Sequence, residues 1–296
     1  MWSETISHQN EFSNWSLTEV DANNCHIEKP QKSEISNIIH EDCVYISKVT
    51  GNLQKYSTKT GRLVKDYGQI HEGAIWSMAI TNNLQFLFTS DYLGFMNKID
   101  LITGEVAHSF GRCHMGFILS IELTSCNRFL YSTGFGGNLK KWCAESGKLL
   151  IDYGKVSKTR IWSLLSTPNG LELFAGDNDG VLQCLEIKEE KKSKTSIFFT
   201  EKVLPGAIRS LAVTPDSRYL YIAGWKGYLK KLDIYEKAVI KDFDLVHDGS
   251  VWCMEVSKCG AYLYACDHKG GLTVWSTSKN CIINKFAKLH NTVIYC

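Results

Sequence analysis

The sequence predicts an all-β chain built from repeated four-stranded antiparallel blades, and three observations carry that reading. The first is a recurring triplet: a Gly, an apolar residue two positions on and a bulky residue five positions on. It runs Gly51-x-Leu53-x-x-Tyr56, Gly94-x-Met96-x-x-Ile99 and Gly137-x-Leu139-x-x-Trp142, then Gly180-x-Leu182-x-x-Leu185, Gly227-x-Leu229-x-x-Leu232 and Gly270-x-Leu272-x-x-Trp275, in steps of 43, 43, 43, 47 and 43 residues. The second is an independent apolar marker in the same phase, Ile75, Ile118, Ile161, Ile208, Val251 and Ile294, which shares the period and the same four-residue insertion. Two markers agreeing in this way define a repeat protein. The third is texture: segments such as Phe86 to Thr89, Phe129 to Ser132 and Tyr219 to Ile222 are short and rich in aromatic and branched residues. Asn82-Asn83, Pro168-Asn169-Gly170, Pro215-Asp216-Ser217 and Cys259-Gly260 separate them as turns.

Taken in order, six units are visible, at about 33–67, 74–110, 117–153, 160–200, 207–243 and 250–286. Each has room for four strands of roughly five to six residues plus turns, and no stretch carries an apolar 3.6-residue period long enough for a three-turn helix. A unit of this length that is apolar on both faces is a propeller blade, which buries each face on a neighbour. Residues 290–296 begin a seventh unit, since Val293-Ile294-Tyr295-Cys296 repeats the pattern of Ser250-Val251-Trp252-Cys253. Closure of the ring then falls to the N-terminal segment, or the sequence is shorter than its natural parent. Residues 1–32 lack the repeat. Residues 1–42 carry eight acids and two lysines. The segment reads either as a frayed tail or as a strand from Phe12 to Val20 that clips the ring shut.

The units resemble WD40 repeats over roughly residues 33–296. Each shows a loop His, strand a with an apolar-x-x-apolar core, a turn, strand b, a Gly turn, strand c ending in a bulky residue, and strand d. His114, Ile118 to Ile121, Asn127, Leu130 to Ser132, Gly137 and Trp142 carry the resemblance in one unit; His247, Val251 to Met254, Gly260, Leu263 to Ala265, Gly270 and Trp275 carry it in another. The family's terminal Trp-Asp is absent, strand c ends in Trp only at 142 and 275, and the Asp before the turn Gly survives only as Asp179. The resemblance implies that His71, His114, His247 and His290 fill a structural slot. There the His is hydrogen-bonded to a Ser or Thr of strand b and the Trp of strand c, with Gly136 where an Asp would stand.

Composition excludes several function classes. The chain has 296 residues, with 33 Lys plus Arg against 31 Asp plus Glu and a net charge of +2, which makes no global case for nucleic acid or an anionic membrane. No apolar run is long enough for a spanning helix, and the start lacks the basic and apolar regions of a secretory signal. Eleven cysteines, an odd number with no Cys-x-x-Cys pair, are expected to be buried free thiols in a reducing compartment, the cytoplasm or the nucleus. Neither metal nor cofactor is expected. Asp177-Asn178-Asp179-Gly180 lacks the downstream Glu of a calcium loop and reads as a turn. The Glu189 to Lys194 run reads as a longer hairpin, and Lys140-Lys141 and Lys230-Lys231 as a solvated outer stripe.

Catalytic motifs are absent: no Gly-x-Ser-x-Gly elbow, no phosphate loop and no His-Glu-x-x-His. The sharper signal is positional. Directly after the first apolar residue of strand a stand Trp76, Leu119, Trp162, Arg209, Trp252 and Tyr295. The resemblance places these, with the turn residues Tyr92, Phe135, Trp225 and His268, near the face where partners dock. Trp, Tyr and Arg dominate binding hot spots. Trp76, Tyr92, Phe135, Trp162, Arg209, Trp225, Trp252 and His268 are therefore the candidate protein-binding residues, although the three Trp of strand a read equally as blade-to-blade packing. The expected function is a non-enzymatic scaffold with protein or peptide partners, working in a larger complex. Two alternatives stand beside it. Residues 211–223 are similar to repeats of lactonase-type propellers, for which Asp91, Asp177 and Asp267 would be the carboxylates. The Trp residues could instead converge on one point as an aromatic cage for a modified peptide.

Overall fold

The computed structural model describes residues 43–48, 50–187 and 197–286. The N-terminal segment with Phe12 to Val20, the first part of the first unit, the Glu189 to Lys194 run and the seventh-unit start lie outside the described residues.

Six antiparallel sheets form a six-bladed propeller. Blade 1 contributes β1 (Cys43–Ser47), β2 (Asn52–Ser57) and β3 (Leu63–Gln69); blade 2 runs β4 (Ile75–Ile80), β5 (Phe86–Asp91), β6 (Phe95–Asp100) and β7 (Val106–Arg112). Blade 3 holds β8 (Ile118–Leu123), β9 (Phe129–Gly134), β10 (Asn138–Cys143) and β11 (Leu149–Lys155). Blade 4 holds β12 (Ile161–Ser166), β13 (Glu172–Asp177), β14 (Val181–Glu186) and β15 (Ile197–Lys202). Blade 5 holds β16 (Ile208–Val213), β17 (Tyr219–Gly224), β18 (Tyr228–Asp233) and β19 (Ala238–Leu245). Blade 6 holds β20 (Val251–Val256), β21 (Tyr262–Asp267), β22 (Leu272–Ser276) and β23 (Cys281–Phe286). Each sheet pairs its strands in chain order, as a meander.

Both sequence markers have physical causes. The marker glycines sit at positive φ, +79° at Gly137, in the turn between the second and third strands. A Cβ there would run into the backbone carbonyls of Ser157 and Thr159 in the loop that leads to the next blade. The Gly137 carbonyl meanwhile accepts the N–H of Val156 at 3.0 Å, so turn and loop lie at the same end of the blade. Only Gly tolerates that φ together with so close an approach. The second marker is the deepest apolar position of the innermost strand: Ile118, Ile161, Ile208 and Val251 are fully buried.

Among the described residues no blade has a core of its own. The described clusters each straddle two neighbours; Phe174, Leu182 and Cys184 of blade 4, for example, pack on Ile208, Leu220 and Leu232 of blade 5. Serines of the innermost strands stitch the same seams. Ser77 Oγ accepts the Ile121 N–H at 3.1 Å, Ser120 Oγ that of Leu164 at 3.1 Å, and Ser210 Oγ that of Met254 at 2.8 Å.

Two expectations are corrected. Lys141 and Lys231 are not a solvated stripe: they are 1% and 6% exposed. Their ammonium groups sit 3.8 Å from the Phe129 ring centre and 4.2 Å from that of Tyr219. The pleat decides this, because neighbouring residues of a strand face opposite ways; Lys140 and Lys230 point outward to Asp152 and Asp242, at 3.3 and 2.9 Å. Cysteine use also departs from expectation at four of the described positions. Cys113 and Cys184 are buried free thiols, but Cys126, Cys259 and Cys281 are exposed, and Cys253 is disulfide-bonded. No helix among the described residues is long and apolar enough to cross a membrane.

Candidate functional site

The start of every described innermost strand is irregular in the same way. In blade 2 the register passes from Ile75↔Asp91 to Ser77↔Ser90, leaving one extra residue between. The shift recurs between Ile118 and Ser120, Ile161 and Ser163, Ile208 and Ser210, and Val251 and Cys253. The residues at these bulges are Trp76, Leu119, Trp162, Arg209 and Trp252. A bulge breaks the alternation of the strand and re-aims one side chain, so the column noted in the sequence is a column of bulged residues.

At three consecutive blades the bulged side chains meet. The Arg209 guanidinium lies 3.5 Å from the Trp162 ring centre and 4.8 Å from that of Trp252, between the indoles of the blades on either side. The Trp162 Nε1–H donates to Asn178 Oδ1 at 3.1 Å, which ties the ring to the Asp177–Gly180 turn. The contacts continue towards the earlier blades. Arg160 lies 5.5 Å from the Trp162 centre and 4.5 Å from Phe135, Phe135 meets Phe117 edge-on at 5.2 Å, and Phe117 stacks on Tyr92 at 4.1 Å. Tyr92, Phe117, Phe135, Arg160, Trp162, Arg209 and Trp252 thus form one arc of aromatic rings and guanidinium groups over blades 2 to 6.

The remaining candidates flank this arc. Trp225 packs on Gly206 and is 45% exposed, and Tyr92 and Phe135 are exposed to a similar degree, 44% and 43%. His268 covers Gly249. Trp76 is exposed on blade 2. The sequence reading missed Phe117 and Arg160. Both stand one residue before the Ile118 and Ile161 markers, a position that carries no common residue type in the other blades.

The carboxylates of the hydrolase alternative are committed elsewhere. Asp91 Oδ1 accepts the N–H groups of Leu93 and Phe95, Asp177 Oδ1 those of Asp179 and Val181, and Asp267 Oδ1 those of Lys269 and Gly271. The other oxygen meets His71 at 3.1 Å, the Ser157 hydroxyl at 2.7 Å and His247 at 2.8 Å respectively. Burial pushes the acids of Asp91 and Asp267 up, but these hydrogen bonds prevail and hold both below the ordinary carboxylate range. Each carboxylate locks a turn.

The histidine slot is structural, with two amendments. In blade 3, Ser132 Oγ bonds His114 Nε2 at 2.7 Å and the Trp142 Nε1–H at 2.8 Å. The place of the Asp is filled by Gly134, not Gly136, since a Cβ on Gly134 would meet His114 Nδ1 at 2.6 Å. In blade 6 the hydroxyl comes from the third strand: Thr273 bonds His247 at 2.8 Å and Trp275 at 3.0 Å, while the second strand carries Ala265 there.

A family model, "WD domain, G-beta repeat", matches residues 241–276, which span the end of β19 through β22 and include that His247–Asp267–Thr273–Trp275 network. That match, together with six antiparallel sheets in a ring, supports a WD40-repeat propeller. WD40 propellers are in general protein-interaction scaffolds and typically non-enzymatic. No curated protein matches the chain. In this WD40 propeller, the loops before each innermost strand and the turns after each second strand share one end of the ring. The arc lies across that end.

Proposed function

We propose that this WD40 propeller is a non-enzymatic scaffold that binds protein through the end of the ring bearing the arc, as a subunit of a larger complex. The continuous run of aromatic and guanidinium side chains from Tyr92 to Trp252 supports this reading. Such side chains offer large area with little rotamer entropy to lose, and a ring of bulges preorganises them before any partner arrives. Trp76, Trp225 and His268 extend the same surface.

The cage alternative is disfavoured by Arg209. Trp162 and Trp252 do face one point, but the space between them already holds the Arg209 cation, which would repel a methylated ammonium. The lactonase-type alternative has lost its carboxylates to the turn network.

Native size-exclusion of the tagged protein from its own cell extract, with mass spectrometry of the fractions, tests the scaffold reading. An Arg209→Glu, Trp225→Ala double variant and a Trp225→Ala single variant run beside the wild type, with circular dichroism of each. Elution well above 33 kDa with companions that the folded variants lose is the expected result. Elution of the wild type as a bare monomer would overturn the reading.

A further inference from the structure

The charge around the arc says what kind of partner fits it. Near its Trp-rich part stand Lys158, Arg160, Arg209, Lys226 and Lys269, against the exposed carboxylates Asp179 and Asp248; Glu72 lies at the far end, before blade 2. Lys158, Lys226 and Lys269 are exposed, and with Arg160 they form no ion pair among the described residues. The same end also carries exposed apolar groups: Tyr92, Met115 and Phe135 at blades 2 and 3 and Trp225 at blade 5, with Met115 87% exposed.

We infer that this end of the propeller takes an acidic linear peptide of a partner protein, its apolar side chains resting on Tyr92, Phe135, Met115 and Trp225 while a carboxylate meets the Arg160 guanidinium. The inference rests on the scaffold reading and adds the chemistry of the partner. Arg160 lies over the Phe135 ring, which leaves its N–H donors for an acceptor in its own plane, and a carboxylate matches that fork bidentately. The neighbouring aromatic surface lowers the local dielectric and strengthens the pair. Cations alternating with rings suit a peptide in which Asp or Glu alternates with apolar residues. A polyphosphate chain would call for an uninterrupted basic track, and the Trp162 ring, already beside two guanidinium groups, offers a poor platform for stacked bases.

The test is selection of a random dodecapeptide display library on the full chain, repeated on Arg160→Glu and Arg160→Lys variants. A Lys158→Glu, Lys226→Glu variant provides a second arm, since both side chains are exposed and their exchange leaves the packing intact. The expected pool is enriched in Asp and Glu interspersed with aromatic or aliphatic residues. The best selected peptide should bind Arg160→Glu at least ten-fold more weakly, Arg160→Lys with part of its affinity, and the double lysine variant several-fold more weakly, with binding that weakens as salt rises. A neutral or basic pool, no enrichment, indifference to all three variants, or displacement by an oligothymidylate would each overturn the inference. Native size-exclusion separates the two failures. Companions lost in Trp225→Ala without an acidic pool would sink only the partner chemistry, whereas bare monomer in the extract would sink the scaffold reading itself.

Discussion

His114 and Glu122 lie on the same blade and oppose one another. Burial drives the His114 imidazole down to about 4, and Gly134 leaves it without the carboxylate that His247 has in Asp267. The unfolded chain therefore binds a proton that the native state refuses between pH 6.5 and about 4, and stability falls on acidification through that window. The full contribution is about 3 kcal/mol. Glu122 is the reverse case. Burial raises its acid to about 7, against the N–H and hydroxyl of Ser166 that bond its Oε1 at 2.9 and 2.7 Å. The native state then keeps a proton that the unfolded chain releases from pH 4.5 upward, so this contribution is present at low pH and lost as pH rises through about 7. Urea unfolding from pH 4 to 8 resolves the two. Wild type should show a shallow dependence, His114→Gln should lose the acid-side decline, and Glu122→Gln should lose the decline towards neutrality and leave a steeper acid limb. Parallel profiles for all three proteins would contradict the assignment.

At the scale of the strand, the bulge and the buried lysine are what adapt a repeated blade to its place. Lys98, Lys141 and Lys231 recur four residues after the marker Gly, each with its ammonium over a ring of the second strand. Lys98 reaches across to the Ala144 carbonyl of the next blade at 3.2 Å, and Lys231 to the Thr277 carbonyl at 3.1 Å and Asn280 Oδ1 at 3.2 Å. Lys231→Met keeps the stem but strands those acceptors, and should cost about 1–3 kcal/mol in denaturant unfolding. Lys230→Met, which breaks only the exposed pair with Asp242, should cost less than about 0.5 kcal/mol. Equal costs would mean that the buried cation is not a staple. These features also mark how far the sequence could be read. Strand positions and period were legible because the glycine φ and the buried branched residue impose one residue type per blade. The column from Trp76 to Trp252 was legible for the same reason. The convergence of Trp162 and Trp252 on Arg209 was not, because a bulge has no residue signature of its own. Lys141 looked solvated because charge alone does not say which face of the pleat carries it. Phe117 and Arg160 were hidden for another reason: their position holds Ala74, Ala207 and Ser250 in the other blades, so no column announced them.

For the whole ring, stability resides in the seams between blades. The apolar clusters and the serine stitches both join one innermost strand to the next, and no contact of that kind skips a blade among the described residues. Energetics of this sort are close to a sum over nearest neighbours, which has a measurable consequence. Ser120 stitches the seam between β8 and β12, and Glu122 bonds Ser166 across that same seam; Ser210 stitches the seam between β16 and β20, with one seam between the two. Ser120→Ala and Ser210→Ala should each cost about 1 kcal/mol, and the double variant should lose their sum within about 0.5 kcal/mol. Ser120→Ala with Glu122→Gln should depart from additivity by more than about 0.5 kcal/mol, because loosening β8 against β12 changes what the second bond can hold. Urea unfolding of the five variants decides it. Strong coupling between Ser120 and Ser210 would show that strain is shared around the ring, so that the arc at its end answers to every blade rather than to its immediate neighbours. Weak coupling there, with strong coupling at Glu122, would instead leave each pair of blades to set its own segment of the binding face, and changes around Arg160 could then be made without disturbing Trp225.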